Sequence, residues 1–259
     1  MKIRPGIELA NLTDIGLQRD TNQDYYGYWE SDSDEEFLRK GRLAIVADGM
    51  GGHEGGEEAS RLAVEAVCQA YRECGDTPQH ALLVGFKSAH ERIQQYARQH
   101  FWLSGMGTTC TAISLSSTYL CYAHIGDSRL YLIRNGFLTR LTSDHSRVTD
   151  LVEAGIIRPQ DAESHPDRHV LSKALGVGQL EAEVPQEPVS LCQGDTLLLC
   201  TDGLWSLVRD QELLEVLQTL PATEACKELV QRAKARGAPD NITLQVLKVE
   251  PDAQLPANQ

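Results

Sequence analysis

Several things are missing from this chain of 259 residues, and each absence removes a class of protein. There is no Cys-x-x-Cys pair: the seven cysteines (Cys68, Cys74, Cys110, Cys121, Cys192, Cys200, Cys226) are odd in number and scattered. Several lie inside apolar runs such as Leu197-Leu198-Leu199-Cys200, where a free thiol behaves as a small hydrophobe. Neither a disulfide scaffold nor a zinc site is expected. No apolar stretch approaches the ~20 residues that a membrane span requires, and the opening Met1 to Glu8 lacks a hydrophobic signal core. A soluble, cytoplasmic protein without a membrane partner is expected, whose sequon Asn241-Ile242-Thr243 meets no glycosylation machinery. Positive charge is scarce. Against 37 Asp and Glu stand 24 Lys and Arg, a net −13, and the longest basic run is Arg39-Lys40. Nucleic-acid affinity depends on clustered cations that neutralise phosphates, so that partner class is excluded. A Walker-type Gly-x-x-x-x-Gly-Lys is absent, and in the glycine-rich stretch after Asp48 the third glycine of a dinucleotide fingerprint falls on Glu54.

What is present reads as a globular domain. The hydrophobic fraction of 41% and charged fraction of 24% are those of a chain that folds on its own core, and this length suits a single domain. Short runs rich in β-branched and aliphatic residues, each closed by a turn signal, predict strands: Arg42 to Ala47, Tyr119 to Ile125 and Thr196 to Thr201. Leu130 to Arg134 and Phe137 to Leu141 flank Asn135-Gly136, a pair that accepts positive φ at both central positions and so predicts a hairpin. Glu57 to Tyr71 places Ala59, Leu62, Ala63, Ala66, Val67 and Ala70 at helical spacing, and Pro78 to Gln99 and Ala222 to Arg236 are further helices. Strands that arrive partly in hairpins favour layered α+β, with helices outside antiparallel sheets, over a doubly wound parallel sheet.

The chemistry lies in carboxylates at strand ends: Asp24, Asp48 before Gly49, Asp127 after Gly126, Asp202 before Gly203, and Asp240 opening the final strand. A single Asp-Gly is ordinary turn chemistry. Five such sites differ, because strand ends on one sheet edge converge, and converging carboxylates repel unless a cation sits among them. Hard oxygen ligands without thiolate or imidazole suit Mg²⁺ or Mn²⁺, and metal-assisted hydrolysis is the natural reaction. Asp48-Gly49-Met50-Gly51-Gly52-His53-Glu54-Gly55-Gly56 marks a strand-to-helix junction whose glycines allow close backbone approach, and His53 beside it is placed to act as a general acid.

Six stretches in order, Arg19-Asp20-Thr21-Asn22-Gln23-Asp24, Val46 to His53, Gly107-Thr108-Thr109, Ile125-Gly126-Asp127-Ser128-Arg129, Thr201-Asp202-Gly203-Leu204 and Asp240-Asn241-Ile242-Thr243, resemble the motif set of the type 2C metal-dependent protein serine/threonine phosphatases in their bacterial, single-domain form. The resemblance runs from about residue 7 to residue 249. It implies a β-sandwich of two antiparallel sheets flanked by helices, a four-layer α-β-β-α arrangement, with two Mn²⁺ or Mg²⁺ ions at one edge. It also implies roles. Asp48 would bridge the two ions, the Gly49 carbonyl would bind one, and Asp202 and Asp240 the other. Asp24 would hold water on the metal, and Asp127 with Asp202 would form a third site. Arg19 would grip the substrate phosphate, a water bridging the ions would attack phosphorus in line without a phosphoenzyme, and His53 would protonate the departing oxygen.

The implied partners are phosphorylated proteins and a cognate serine/threonine kinase, the implied state a monomer. Residues 1–250 would form one catalytic domain, with a substrate-selecting flap at about 144–171 in which His165 and His169 are read as exposed, and 251–259 a frayed tail. Two alternatives stand beside this reading: a non-catalytic regulatory module of the same fold, and a phosphatase dedicated to one signalling regulator. Departures are small: Gln23 stands where some relatives carry an acid, Ala238-Pro239 precedes Asp240, and Ser172-Lys173-Ala174-Leu175-Gly176 replaces a Thr-Arg form. The acidic stretch Glu30 to Glu36 has no counterpart and is expected to be a solvated loop. Cys226 and Arg232 have the spacing of a cysteine-dependent phosphatase loop, but a helical segment without glycine cannot provide the anion cradle.

Overall fold

The computed structural model describes residues 4–51, 53–116, 118–162 and 165–250; the side chains of His53 and Glu54 and the 251–259 tail lie outside the described residues. β1 (Ile7–Asp14) and β2 (Asp24–Glu30) lead to α1 (Asp34–Lys40), β3 (Arg42–Met50), α2 (His53–Glu73) and α3 (Pro78–Gln99). The middle of the chain forms β4 (Gly107–Thr108), β5 (Cys110–Leu115), β6 (Tyr119–Ile125), β7 (Arg129–Arg134), β8 (Phe137–Arg140), α4 (Arg147–Glu153) and α5 (Pro159–Ala162). The last third adds β9 (Val189–Ser190), β10 (Thr196–Cys200), α6 (Asp202–Trp205), α7 (Asp210–Thr219), α8 (Ala222–Ala235) and β11 (Ile242–Val249).

Among the described residues the strands form two antiparallel sheets, ordered β1-β11-β10-β7-β8 and β2-β3-β5-β6-β9, with β4 paired to the end of β3. Alternation along single strands explains the layering. In β10, Leu197 and Leu199 enter the layer between the sheets while Leu198 and Cys200 pack under α7 and α8. In β3, Ala44 and Val46 face the other sheet, and Leu43, Ile45 and Ala47 face α2 and α3. Both faces of these strands are buried, which is why their sequences run continuously apolar instead of alternating. The result is the four-layer α-β-β-α sandwich.

Local chemistry sets the element ends. Thr77 caps α3 by accepting from the His80 amide, and Pro78 occupies the first turn, where its missing N–H costs nothing. Gly85 lets α3 lie close on α2, since a Cβ there would be 3.2 Å from the Val67 Cα. The predicted hairpin turn is present, with Asn135 at φ 50° and Gly136 at φ 83°. Helix α2 begins four residues earlier than its periodicity suggests, at His53.

The acidic stretch Glu30 to Glu36 is not a solvated loop. Its second half begins helix α1, capped by Ser33, with Asp34, Glu35 and Glu36 in the first turn, where negative charge suits the helix dipole. Lys40 at the other end is buried, pairs with Glu36 at 3.1 Å, and donates to the Tyr71 and Arg72 carbonyls at the end of α2. The acids therefore serve a helix whose lysine caps another helix. All seven cysteines are unpaired. Among the described residues no helix is long and apolar enough to cross a membrane.

Candidate metal centre

Five strand ends meet at one edge of the sandwich. Asp24, the first residue of β2, lies directly opposite Asp48 near the end of β3. Asp202 follows β10 and opens α6, Asp240 precedes β11, and Asp127 sits in the turn between β6 and β7. Neutral polar side chains hold the backbone of this edge. Thr109 Oγ1 accepts from the Asp48 amide at 2.9 Å, Thr108 Oγ1 donates to the Asp48 carbonyl at 2.8 Å, and the Thr109 amide donates to the same carbonyl at 2.9 Å. Leu175, from the Ser-Lys-Ala-Leu-Gly stretch, exchanges both backbone hydrogen bonds with Thr108. Thr201 Oγ1 donates to Asp24 Oδ2 at 2.8 Å.

Asn241 joins three segments. Its Oδ1 accepts from the Gln23 amide at 2.8 Å, and its Nδ2 donates to the carbonyls of Ile15 at 2.9 Å and Thr21 at 3.0 Å. An Ala here would strand a backbone donor and two acceptors. Asn241→Ala is therefore expected to cost about 2–4 kcal/mol in chemical denaturation, and an unchanged midpoint would contradict this role. Glycines are required for close approach: a Cβ on Gly49 would lie 1.9 Å from the Gly56 carbonyl oxygen, and one on Gly203 1.9 Å from that of Asn241.

The electrostatics are those of crowded anions. Burial pushes the Asp24 carboxyl up to about 7, helped by Asp202 and Asp240 and opposed by hydrogen bonds from Thr243 and Thr201. Burial also raises Asp48 and Asp127 well above the usual carboxylate range, with Asp24 and Asp202 adding to the rise at Asp48, and Asp202 and Asp144 at Asp127. Asp202 is raised by burial and by Asp240, while a hydrogen bond with Asp48 and the charges of His169 and Arg19 pull it down. Arg19 Nη2 pairs with Asp240 Oδ2 at 2.7 Å, which raises the guanidinium further. The Oδ1 atoms of Asp24 and Asp202 are buried without a hydrogen-bond partner. Desolvated carboxylate oxygens that lack donors, at an edge where the described side chains gathered are carboxylates and a guanidinium, fit a hard divalent cation.

The edge thus gathers Asp24, Asp48, Asp127, Asp202, Asp240 and Arg19. The helix that carries His53 starts beside it, but the imidazole itself lies outside the described residues. His169 is exposed, as expected, and lies close enough to Asp202 to help pull its carboxyl down. Thr108, Thr109, Thr201 and Asn241 fall inside the quoted motifs, yet nothing local marks a neutral side chain as a brace.

A second cluster was not foreseen. His124, His145 and Glu183 have ligand atoms within 4.8 Å of one another. Their lone pairs are largely in use. His124 Nδ1 and Nε2 bond Thr111 Oγ1 at 2.9 Å and the Ser143 carbonyl at 3.0 Å, and burial lowers this imidazole to about 3, so it stays neutral. His145 Nδ1 accepts from the Gly126 amide at 3.1 Å, and Glu183 accepts from Tyr122 and the Ser143 amide. The cluster is a hydrogen-bonded support for the turn that carries Asp127.

The sequence model for protein phosphatase 2C matches residues 18–243. The chain belongs to the protein phosphatase 2C family. It is 37% identical over 246 residues to the serine/threonine phosphatase stp of Listeria monocytogenes serovar 1/2a, covering 93% of this chain and 94% of that one. Among solved structures, the serine/threonine phosphatase PstP/Ppp of Mycobacterium tuberculosis superposes with a TM-score of 0.84 at 36% identity, covering 95% of this chain and 99% of that chain. The catalytic domain of PstP in complex with two manganese ions gives a TM-score of 0.81 at 34% identity, again over 95% and 99%. This protein phosphatase 2C is a metal-dependent protein serine/threonine phosphatase, and the reading as a non-catalytic module is not favoured.

Proposed function

We propose that Asp48, the Gly49 carbonyl, Asp202 and Asp240 hold two Mn²⁺ or Mg²⁺ ions, that Asp127 with Asp202 takes a third, and that phosphoserine and phosphothreonine are hydrolysed by direct attack of water. The observation that carries this assignment is the pair of buried, unpartnered carboxylate oxygens on Asp24 and Asp202 at the edge where the five aspartates converge. Divalent ions, when bound, supply Lewis acidity toward the phosphoryl oxygens and a water acidic enough to react near neutral pH. The chain's own residues do the rest. Asp24, under Thr201, orients water by accepting hydrogen bonds from it. Arg19 turns its planar fork from Asp240 to the substrate phosphate, since a guanidinium at this edge satisfies either anion. His53, at the start of α2, delivers the proton that the departing serine or threonine oxygen needs.

Residues 1–250 act as one catalytic domain, with the segment at about 144–171 over the site setting peptide preference. The unpaired cysteines suit a reducing compartment such as the cytoplasm. The substrates presuppose a serine/threonine kinase acting on the same proteins, and the domain works as a monomer. The test is Mn²⁺-dependent hydrolysis of a phosphothreonine peptide by wild type and Arg19→Ala. Turnover should vanish with chelator, and Arg19→Ala should lower kcat/KM by roughly 30- to 100-fold, the worth of a charge-assisted fork on a phosphate. Activity that ignores Mn²⁺ would overturn the metal assignment, and an unaltered kcat/KM in the variant would overturn the role of Arg19.

A further inference from the structure

Asp127 and Asp202 come from different sheet connections and repel one another, yet their backbones are tied. Asp202 begins α6 and Trp205 ends it, and the Trp205 indole N–H donates to the Asp127 carbonyl at 2.9 Å. One helical turn therefore carries a carboxylate at its start and, at its end, the donor that holds the neighbouring carboxylate's backbone. The indole is itself held, with the Arg129 guanidinium stacked 3.5 Å from its ring centroid. That guanidinium forms a two-pronged pair with Asp144, at 2.6 and 2.9 Å, where the flap begins. The next residue, His145, grips the same turn from the other side: its amide donates to the Gly126 carbonyl at 2.7 Å, and its Nδ1 accepts from the Gly126 amide at 3.1 Å. The flap closes on His145, whose carbonyl accepts from the Ser172 amide at 3.0 Å.

We propose that Trp205 is a positioning residue for the Asp127 carboxylate and that, through Arg129 and Asp144, it makes the Asp127 metal position and the root of the flap one mechanical unit. The physical reason is the direction of each force. Two like charges at a desolvated edge part unless their backbones are joined, and a hydrogen bond from a neutral indole joins them without cancelling the negative charge that a cation needs. Arg129 spends its hydrogen bonds on Asp144 and the Tyr131 hydroxyl, so it acts on Asp127 only through its charge, while the stack fixes the plane in which the indole N–H points. A cation between Asp127 and Asp202 would pull both ends of this linkage inward and steady the flap root. Conversely, a flap clamped on substrate would hold Asp127 in place.

This inference rests on the metal assignment above, and its test separates the two. Trp205→Phe keeps a smaller aromatic face for Arg129 and removes the N–H together with the five-membered ring that carries it. Mn²⁺ binding is followed by calorimetry on wild type, Trp205→Phe and Asp127→Ala, and amide hydrogen exchange over residues 145–172 is followed with and without Mn²⁺. Asp127→Ala should lose the weakest class of Mn²⁺ site, and Trp205→Phe should weaken that class about tenfold while leaving the tighter sites unchanged. In wild type Mn²⁺ should slow flap exchange, and in Trp205→Phe this slowing should be largely lost. If Asp127→Ala leaves the isotherm unchanged, the metal role of Asp127 fails, and the linkage with it. If Asp127→Ala changes the isotherm but Trp205→Phe alters neither it nor flap protection, the positioning role alone is overturned.

Discussion

Asp48→Asn is expected to abolish Mn²⁺-dependent hydrolysis of a phosphothreonine peptide while making the metal-free protein more stable above neutral pH. The two effects have one cause. Asp48 lies opposite Asp24, and burial above all, with the charges of Asp24, Asp202, Asp127 and Asp240, pushes its pKa well up. With no cation, each unit of pH above that raised pKa forces a buried negative charge against its neighbours. An amide keeps the shape, exchanges one acceptor oxygen for an N–H donor that neighbouring carboxylates can accept, and removes the charge, which should stabilise the metal-free form by about 1–2 kcal/mol at pH 8 to 9. The same substitution removes a carboxylate proposed to hold the ions, and a loss of at least about a thousandfold, some 4 kcal/mol of barrier, is expected. Paired assays and melting curves in chelator check both halves. A variant that retains turnover, or one whose metal-free form is no more stable than wild type at pH 8 to 9, would refute the account.

The metal-free wild type should lose stability as pH rises from about 4 through 7, the reverse of the usual behaviour of salt-bridged carboxylates. The sign follows from proton counting. Asp24 titrates at about 7 in the folded chain against an ordinary 3.8, so between those values the folded state binds more protons than the unfolded state. Stability then falls with rising pH, fully present below the lower value and lost through the upper one. Asp48, Asp127 and Asp202 shift in the same direction and deepen the slope. A divalent cation inverts it, because ions displace these protons and bind more tightly as fewer protons compete. At a hundredfold excess over Kd a bound ion adds about 2.7 kcal/mol. Melting temperatures across pH 4.5 to 8.5, in chelator and in Mn²⁺, should diverge steadily with pH. Parallel curves would show that the cluster does not bind cations through these carboxylates.

Which features were legible in the chain follows from how far apart the interacting residues lie. Strands β3, β6, β7, β8 and β10 and helices α2, α3 and α8 all stand where apolar periodicity and turn residues place them, within a few residues at the ends. The Asn135-Gly136 hairpin is a local event between adjacent residues. The acidic stretch misled because its composition says surface, whereas Ser33 and a buried Lys40, seven residues apart, turn it into a capped helix. His169 is exposed, as its polar surroundings indicate, but its proximity to Asp202 joins positions too far apart in sequence to be read locally.

The aspartates themselves could be singled out because charge at a strand end is unusual in number and because the motifs repeat a familiar order. Their braces could not, since Thr201 meets Asp24 across 177 positions and Asn241 meets Gln23 across 218. Residue type and spacing alone thus place β3, β6, β7, β8, β10, α2, α3 and α8, the acids that stand at strand ends, and a hard divalent cation as the kind of metal such acids suit. Those properties depend on neighbours a few bonds apart. Only the folded chain decides that Arg19 rests on Asp240, that Trp205 holds the carbonyl of Asp127, and that two carboxylate oxygens are sealed from water without a donor. Hydrogen bonds and desolvation act over a few ångströms, and that proximity is created by sheet register and layer packing between segments that the sequence keeps far apart.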